Sequence, residues 1–160
     1  MIKVTLITLG KLKEKYLSEA QKEYEKRLSR YCNLDIMELE PVKLSDNPSQ
    51  SEIDNALAKE TQMILSKIPK GSYVFSMCIE GKQLSSEELS QKLEDIALCG
   101  KSTVTFIIGS SFGLSDEIKK MSDFKFSMSK MTFPHKLARI MLTEQVYRAF
   151  SISNNGKYHK

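Results

Sequence analysis

Phe126-Ser127-Met128-Ser129-Lys130-Met131-Thr132-Phe133-Pro134-His135 joins an apolar, strand-like run to a long helix-like run that is basic at its start. Proline is tolerated in the first turn of a helix, where its missing N–H would have no intrahelical partner. It also keeps the residue before it, Phe133, out of the helical region. A helix is therefore predicted to begin close to Pro134, with Thr132 as its N-cap. A strand, a polar loop and a fresh helix N-terminus together are a usual ligand position in α/β proteins. The same residues also read as a plain strand-to-helix connection with a good cap.

Working outward, Val104–Ile108 is the clearest buried strand; it ends in Gly109-Ser110-Ser111-Phe112-Gly113-Leu114, and a short helix starts at Ser115. Ser72–Ile79 is a second central strand ending at Glu80-Gly81, and Ile2–Leu9 a first strand bounded by Gly10. Leu34–Leu39 alternates like a half-buried strand, and Phe124–Met128 is the last strand. Helices are predicted over Lys15–Tyr31, from the capping-box spacing Ser49–Glu52 to Ile68, from Ser85–Glu88 to Gly100, and over Pro134–Ile152. Glu40–Ser51, broken by Pro41, Asp46-Asn47 and Pro48, reads as a flexible loop without chemistry. Strands alternating with helices predict an α/β fold. Its mostly parallel sheet is covered by helices on both faces, in a single domain over residues 1–160. Ligands of such sheets bind beyond the carboxyl ends of strands, which selects Met77–Gly81, Gly109–Leu114 and Met128–Phe133.

A chain of 160 residues can bury a real core without disulfides or metals. No apolar run reaches the roughly 18 residues of a transmembrane helix, and the N-terminus lacks a signal-peptide pattern, so no membrane partner is expected. Cys32, Cys78 and Cys99 are odd in number and form no Cys-x-x-Cys pair, consistent with a reducing cytoplasm and with no zinc or redox dithiol. Net charge runs +4 over residues 1–31, −7 over 32–118 and +7 over 119–160. A basic patch around the organising stretch would attract a polyanion, and a nucleic-acid partner is expected from it.

The Gly109–Leu114 loop is too short for G-x-G-x-x-G and lacks a P-loop lysine, so a tight turn is its simplest reading. There is no nucleophile elbow, and two histidines without His-x₃-His spacing argue against a metal. The last helix is apolar on more than one face, through Leu137, Ile140, Leu142, Val146, Tyr147 and Phe150 among others. That predicts burial on two sides, the second against a partner subunit in a homodimer. Glu144–Arg148 has the i,i+4 spacing of a structural ion pair, and Arg139 serves either an RNA phosphate or the structure. The tail Asn154–Lys160 reads as a fraying polar end, or as a base-stacking and phosphate-binding element through Tyr158, His159, Lys157 and Lys160.

The sequence Ser129-Lys130-Met131-Thr132-Phe133-Pro134-His135, then Arg139, Glu144-Gln145-Val146-Tyr147-Arg148-Ala149, Gly156 and Tyr158-His159, resembles the ribosomal large subunit methyltransferase H family. These are SPOUT, or trefoil-knotted, methyltransferases. The opening Gly10-Lys11-Leu12-Lys13 with Tyr16 and Tyr24 matches as well. The resemblance implies a C-terminal trefoil knot, a homodimer, and S-adenosylmethionine-dependent methylation of N3 of a pseudouridine in 23S rRNA of the ribosome. It puts cofactor contacts at Met77, Gly109, Met128, Ser129, Lys130, Met131, Thr132 and Phe133, and implies a role for Tyr158-His159 in RNA recognition or catalysis; Tyr158, His159 and Arg139 are the catalytic candidates. Tyr158, His159, His135 and Arg139 are the candidates for handling the N3 proton. A related knotted enzyme acting on a ribose 2′-OH or another base, or a non-catalytic ribosome-binding factor, are the alternatives. The chain departs from the common pattern at Ser110, where a second glycine is usual, and at Lys160, where arginine is frequent. If position 110 needs positive φ, serine there is strained.

Overall fold

Five strands alternate with five helices, and the computed structural model describes all of residues 1–160. The strands are β1 (Lys3–Leu9), β2 (Asn33–Leu39), β3 (Tyr73–Gln83), β4 (Thr103–Ile108) and β5 (Phe124–Ser127). The helices are α1 (Lys15–Leu28), α2 (Gln50–Leu65), α3 (Ser86–Leu98), α4 (Asp116–Met121) and α5 (His135–Ser153). The sheet has the order β2-β1-β4-β3-β5, and every pairing is parallel. A parallel sheet is sealed on both faces, which is why β1 and β4 are buried almost throughout, with Thr5, Thr8 and Thr105 among their apolar residues. Val4, Leu6, Val104, Phe106 and Ile108 point to one face, where α1, α3 and α5 supply Leu28, Leu93, Leu142, Val146 and Ala149. Ile7, Leu9 and Ile107 point to the other, against Ile64 of α2 and Ile118 of α4. The expected α/β class is the one observed.

Local sequence accounts for the helix starts. Ser85 and Glu88 form the full reciprocal capping box, at 3.1 and 2.7 Å. Ser49 accepts from the Glu52 N–H, while the Glu52 carboxylate turns instead to Ser45. Three expectations need correction. Thr132 does not cap α5: Pro134 occupies the N-cap position, no side chain caps the helix, and the Ala138 N–H bonds to the Pro134 carbonyl. Proline's fixed φ sets the helix entry without a hydroxyl. β3 does not stop at Glu80-Gly81. It bulges between Met77 and Lys82 and pairs with β5 on both sides of the bulge. Finally, Leu142, Val146 and Ala149 of α5 face the chain's own core beside α1 and α3, while Leu137 of the same helix stays exposed. Val146 is a core residue at 3% exposure, so it does not belong to a subunit interface.

Candidate functional site

The carboxyl ends of β3, β4 and β5 open into a cleft of about 750 Å³. Each wall is built by a local requirement. A Cβ on Gly81 would lie 2.7 Å from the Lys125 carbonyl, so only glycine lets the β3 bulge fold against β5. A Cβ on Gly109 would collide with the carbonyl of Gly113, which itself closes the turn with φ +76 and an N–H bond of 2.8 Å to Ser110. The third wall is held by Ser127 Oγ donating to the Ser129 carbonyl at 2.9 Å, and by the Met131 N–H donating to Ser129 Oγ at 3.0 Å.

Of the cofactor residues expected from sequence, Met77, Gly109, Met128, Ser129, Met131, Thr132 and Phe133 line this one cleft; Lys130 does not. His135 and Ala138 complete it from α5. Ser110 is not in the left-handed region, so the anticipated strain is absent. Its hydroxyl donates to Glu60 Oε1 at 2.9 Å, while Oε2 accepts the Val42 N–H at 3.1 Å. This buried glutamate ties the β4 loop to the segment after β2. Thr61 adds a second tie through a 2.6 Å bond to Ser115. Sequence reading overlooked Glu60. The available signal was its place on the apolar face of α2, in period with Ile53, Leu57 and Ile64.

The ionisable groups around the cleft are quiet ones. Burial pushes the Cys78 thiol up, away from nucleophilic character. The hydrogen bond from Lys119, at 2.5 Å, holds the Glu80 carboxyl below its ordinary value. Burial, reinforced by the charge of Lys136, lowers His135 and favours its neutral imidazole.

Arg139 lies outside the cleft. It is buried at 6% exposure and donates to Glu38 Oε2 at 2.7 Å, which gives it a structural ion pair. Tyr158 and His159 are also elsewhere, and the tail does not fray. Asn155, at φ +54, and Gly156 send their N–H groups back to Ile152 and Ser151, a Schellman ending that reverses the chain along α5. Tyr158 then packs edge-on to Tyr147 at 4.8 Å and under the Arg148 guanidinium at 4.6 Å. Its hydroxyl donates to Glu144 at 3.0 Å, and burial followed by that bond pushes the phenol well above its ordinary range. Arg148 can only donate, so His159 Nδ1 accepts from it at 3.2 Å and Nε2–H donates to Glu87 at 2.7 Å. Glu144 and Arg148 form the expected i,i+4 pair and anchor this assembly.

A family model described as "predicted SPOUT methyltransferase" matches residues 2–159. The chain is 51% identical over 157 residues to ribosomal RNA large subunit methyltransferase H 1 of Clostridium perfringens (strain SM101 / Type A), covering 98% of this chain and 99% of that protein. It is 47% identical, with the same coverage, to ribosomal RNA large subunit methyltransferase H of Clostridioides difficile (strain 630). Among solved structures, the fold resembles tRNA (m1G37) methyltransferase from Aquifex aeolicus. The TM-score is 0.55 at 12% identity, over 92% of this chain and 69% of that one.

Proposed function

The chain belongs to the SPOUT methyltransferase family, and from that premise we propose that it methylates N3 of a pseudouridine in 23S rRNA. The reaction takes place on the assembled ribosome in the cytoplasm, with S-adenosylmethionine as donor. Relatives of equal length carrying the rRNA methyltransferase name support the substrate class. The observation that carries the donor assignment is the convergence of three strand ends on one cleft. The cleft's volume of about 750 Å³ falls within the range of small-molecule sites, roughly 300–1,000 Å³. Its methionines and Phe133 suit an adenosine and a soft sulfur centre.

When bound, S-adenosylmethionine supplies a methyl carbon made electrophilic by its sulfonium. The residues Met77, Gly109, Met128, Ser129, Met131, Thr132 and Phe133 would hold the donor, and their fixed walls orient it, which such a transfer needs more than a protein nucleophile. The imide N3–H must lose its proton before its electron pair can take the methyl group. Tyr158 and His159 would act on the base only after leaving their bonds to Glu144, Arg148 and Glu87, which frees the phenol O–H to donate and His159 Nδ1 to accept the proton. Arg139 acts as a positioning residue through Glu38. The tail lies on its own subunit away from the cleft lining, so it meets the reacting base across a homodimer. Exposed Met131, Phe112 and Ile79 of the cleft, with exposed Leu137 of α5, supply apolar surface for a second copy.

Mass mapping of 23S rRNA from a strain lacking the gene, with and without this chain restored, tests the reading. A methyl group regained on pseudouridine N3 is expected. A methyl group on a ribose 2′-OH or another base would reassign the target, and unchanged rRNA would sink the proposal.

A further inference from the structure

Of the side chains that line the donor cleft, only Glu80 and Lys119 carry a formal charge, since His135 favours its neutral form. They come from different elements and meet: Lys119 Nζ lies 2.5 Å from Glu80 Oε1. Glu80 stands in the β3 bulge, where Gly81 closes against the Lys125 backbone. Lys119 follows fully buried Ile118 in α4, which fixes the root of its side chain. The two side chains are 56% and 21% exposed, so the pair stands at the mouth, while buried Ile108, Leu114 and Phe126 belong to the inner lining.

An ion pair this open to water adds little to stability. Its chemistry matches a feature of the donor that the rest of the lining leaves unanswered. A donor with adenosine at one end carries an α-amino acid at the other, with an ammonium and a carboxylate side by side. A lone lysine or a lone glutamate would attract one of these groups and repel the other. Two adjacent side chains of opposite sign attract both, through two charge-assisted hydrogen bonds. We propose that Glu80 and Lys119 form the subsite for the α-amino acid end of the methyl donor, Glu80 accepting from its ammonium and Lys119 donating to its carboxylate. This inference rests on the methyltransferase reading above and adds an orientation to it: adenosine inward, amino acid at the mouth, sulfonium between them. The hydrogen bond from Lys119 keeps the Glu80 carboxyl below its ordinary value, so it is ionised and able to accept at neutral pH. The pair also gives the cleft a means of preferring the donor and its demethylated product over adenosine thioethers that lack the amino acid.

The test is calorimetry on the full chain at low ionic strength, where partly exposed charges are least screened. Three ligands divide the question. S-adenosylhomocysteine has the amino acid without the reactive methyl group, 5′-methylthioadenosine lacks the amino acid, and decarboxylated S-adenosylmethionine keeps the ammonium alone. Wild type should bind S-adenosylhomocysteine about tenfold or more tighter than 5′-methylthioadenosine. The double variant Glu80→Gln, Lys119→Gln should lose that preference, with its affinity for 5′-methylthioadenosine within about twofold of wild type as proof of an intact cleft. Lys119→Gln alone should not weaken decarboxylated S-adenosylmethionine, whereas Glu80→Gln should. Variants that keep the wild-type preference overturn the subsite. A double variant that loses 5′-methylthioadenosine to the same extent overturns it too, because the pair then holds the shape of the cleft and not the amino acid. A wild type that binds none of the three ligands overturns the donor-cleft reading, and this inference with it.

Discussion

Gly109 is glycine because the Gly113 carbonyl occupies the space of its side chain, since its own φ lies outside the left-handed region. Gly109→Ala should therefore push the loop off Gly113 and lower S-adenosylmethionine affinity at least tenfold in calorimetry, with the secondary structure retained. Ser110, beside it, would be strained only at positive φ, which it does not adopt, and it supplies a hydrogen bond to Glu60. Backbone torsion is not written in residue type, so a serine at a family glycine could be judged only from coordinates. His135 offers a test by pH. Its folded-state value is depressed below the usual 6.5, first by burial and then by Lys136. Between the depressed value and 6.5 the unfolded chain binds more protons than the folded one, so stability rises with pH across that window. His135→Gln should remove that part of the slope in urea titrations run at successive pH values. An unchanged slope would mean that another group carries it.

At the scale of elements, the ending of α5 shows what pattern reading loses. Periodicity exposed a helix apolar on several faces, but could not say that α1 and α3 cover it, because helix neighbours are set by sheet order. Composition leaves the tail either a fraying end or an RNA-binding element, although Asn155-Gly156 is a sequence signature for a helix that ends by reversing direction. A Cβ at 156 would meet Ser151 Oγ. Gly156→Ala should accordingly release Tyr158 and His159 from Glu144, Arg148 and Glu87. Limited trypsin digestion should then cut at Lys157 faster than in wild type, while the melting temperature shifts little. Equal cutting rates would show that the tail docks without that turn. The β3 bulge was invisible for a related reason. Glu80-Gly81 looks like a strand end, whereas Gly81 marks a close approach to the Lys125 backbone.

For the whole molecule, the alternation of buried strands and amphipathic helices was enough to read a parallel sheet and the three strand ends that form the cleft. The order β2-β1-β4-β3-β5 was not readable, because strand pairing depends on long-range contacts that leave no local trace. The proposed homodimer can be tested by mixing subunits. One subunit carries Gly109→Arg in its cleft loop, and the other lacks Tyr158–Lys160. With tails shared across the interface, one cleft remains complete and partial methylation of ribosomes should survive. Inactive mixed dimers would mean that each tail serves its own subunit. The central pairing of β1 with β4 joins residues about a hundred positions apart, and Leu142, Val146 and Ala149 from the last helix complete the main core. A chain still emerging during synthesis therefore holds an open sheet and a half-built interior until its final segment is free. Long loop closures cost entropy before their contacts form, so refolding followed by stopped-flow is expected to be slow for a chain of this size. During that interval its unpaired strands are exposed to aggregation and to proteases.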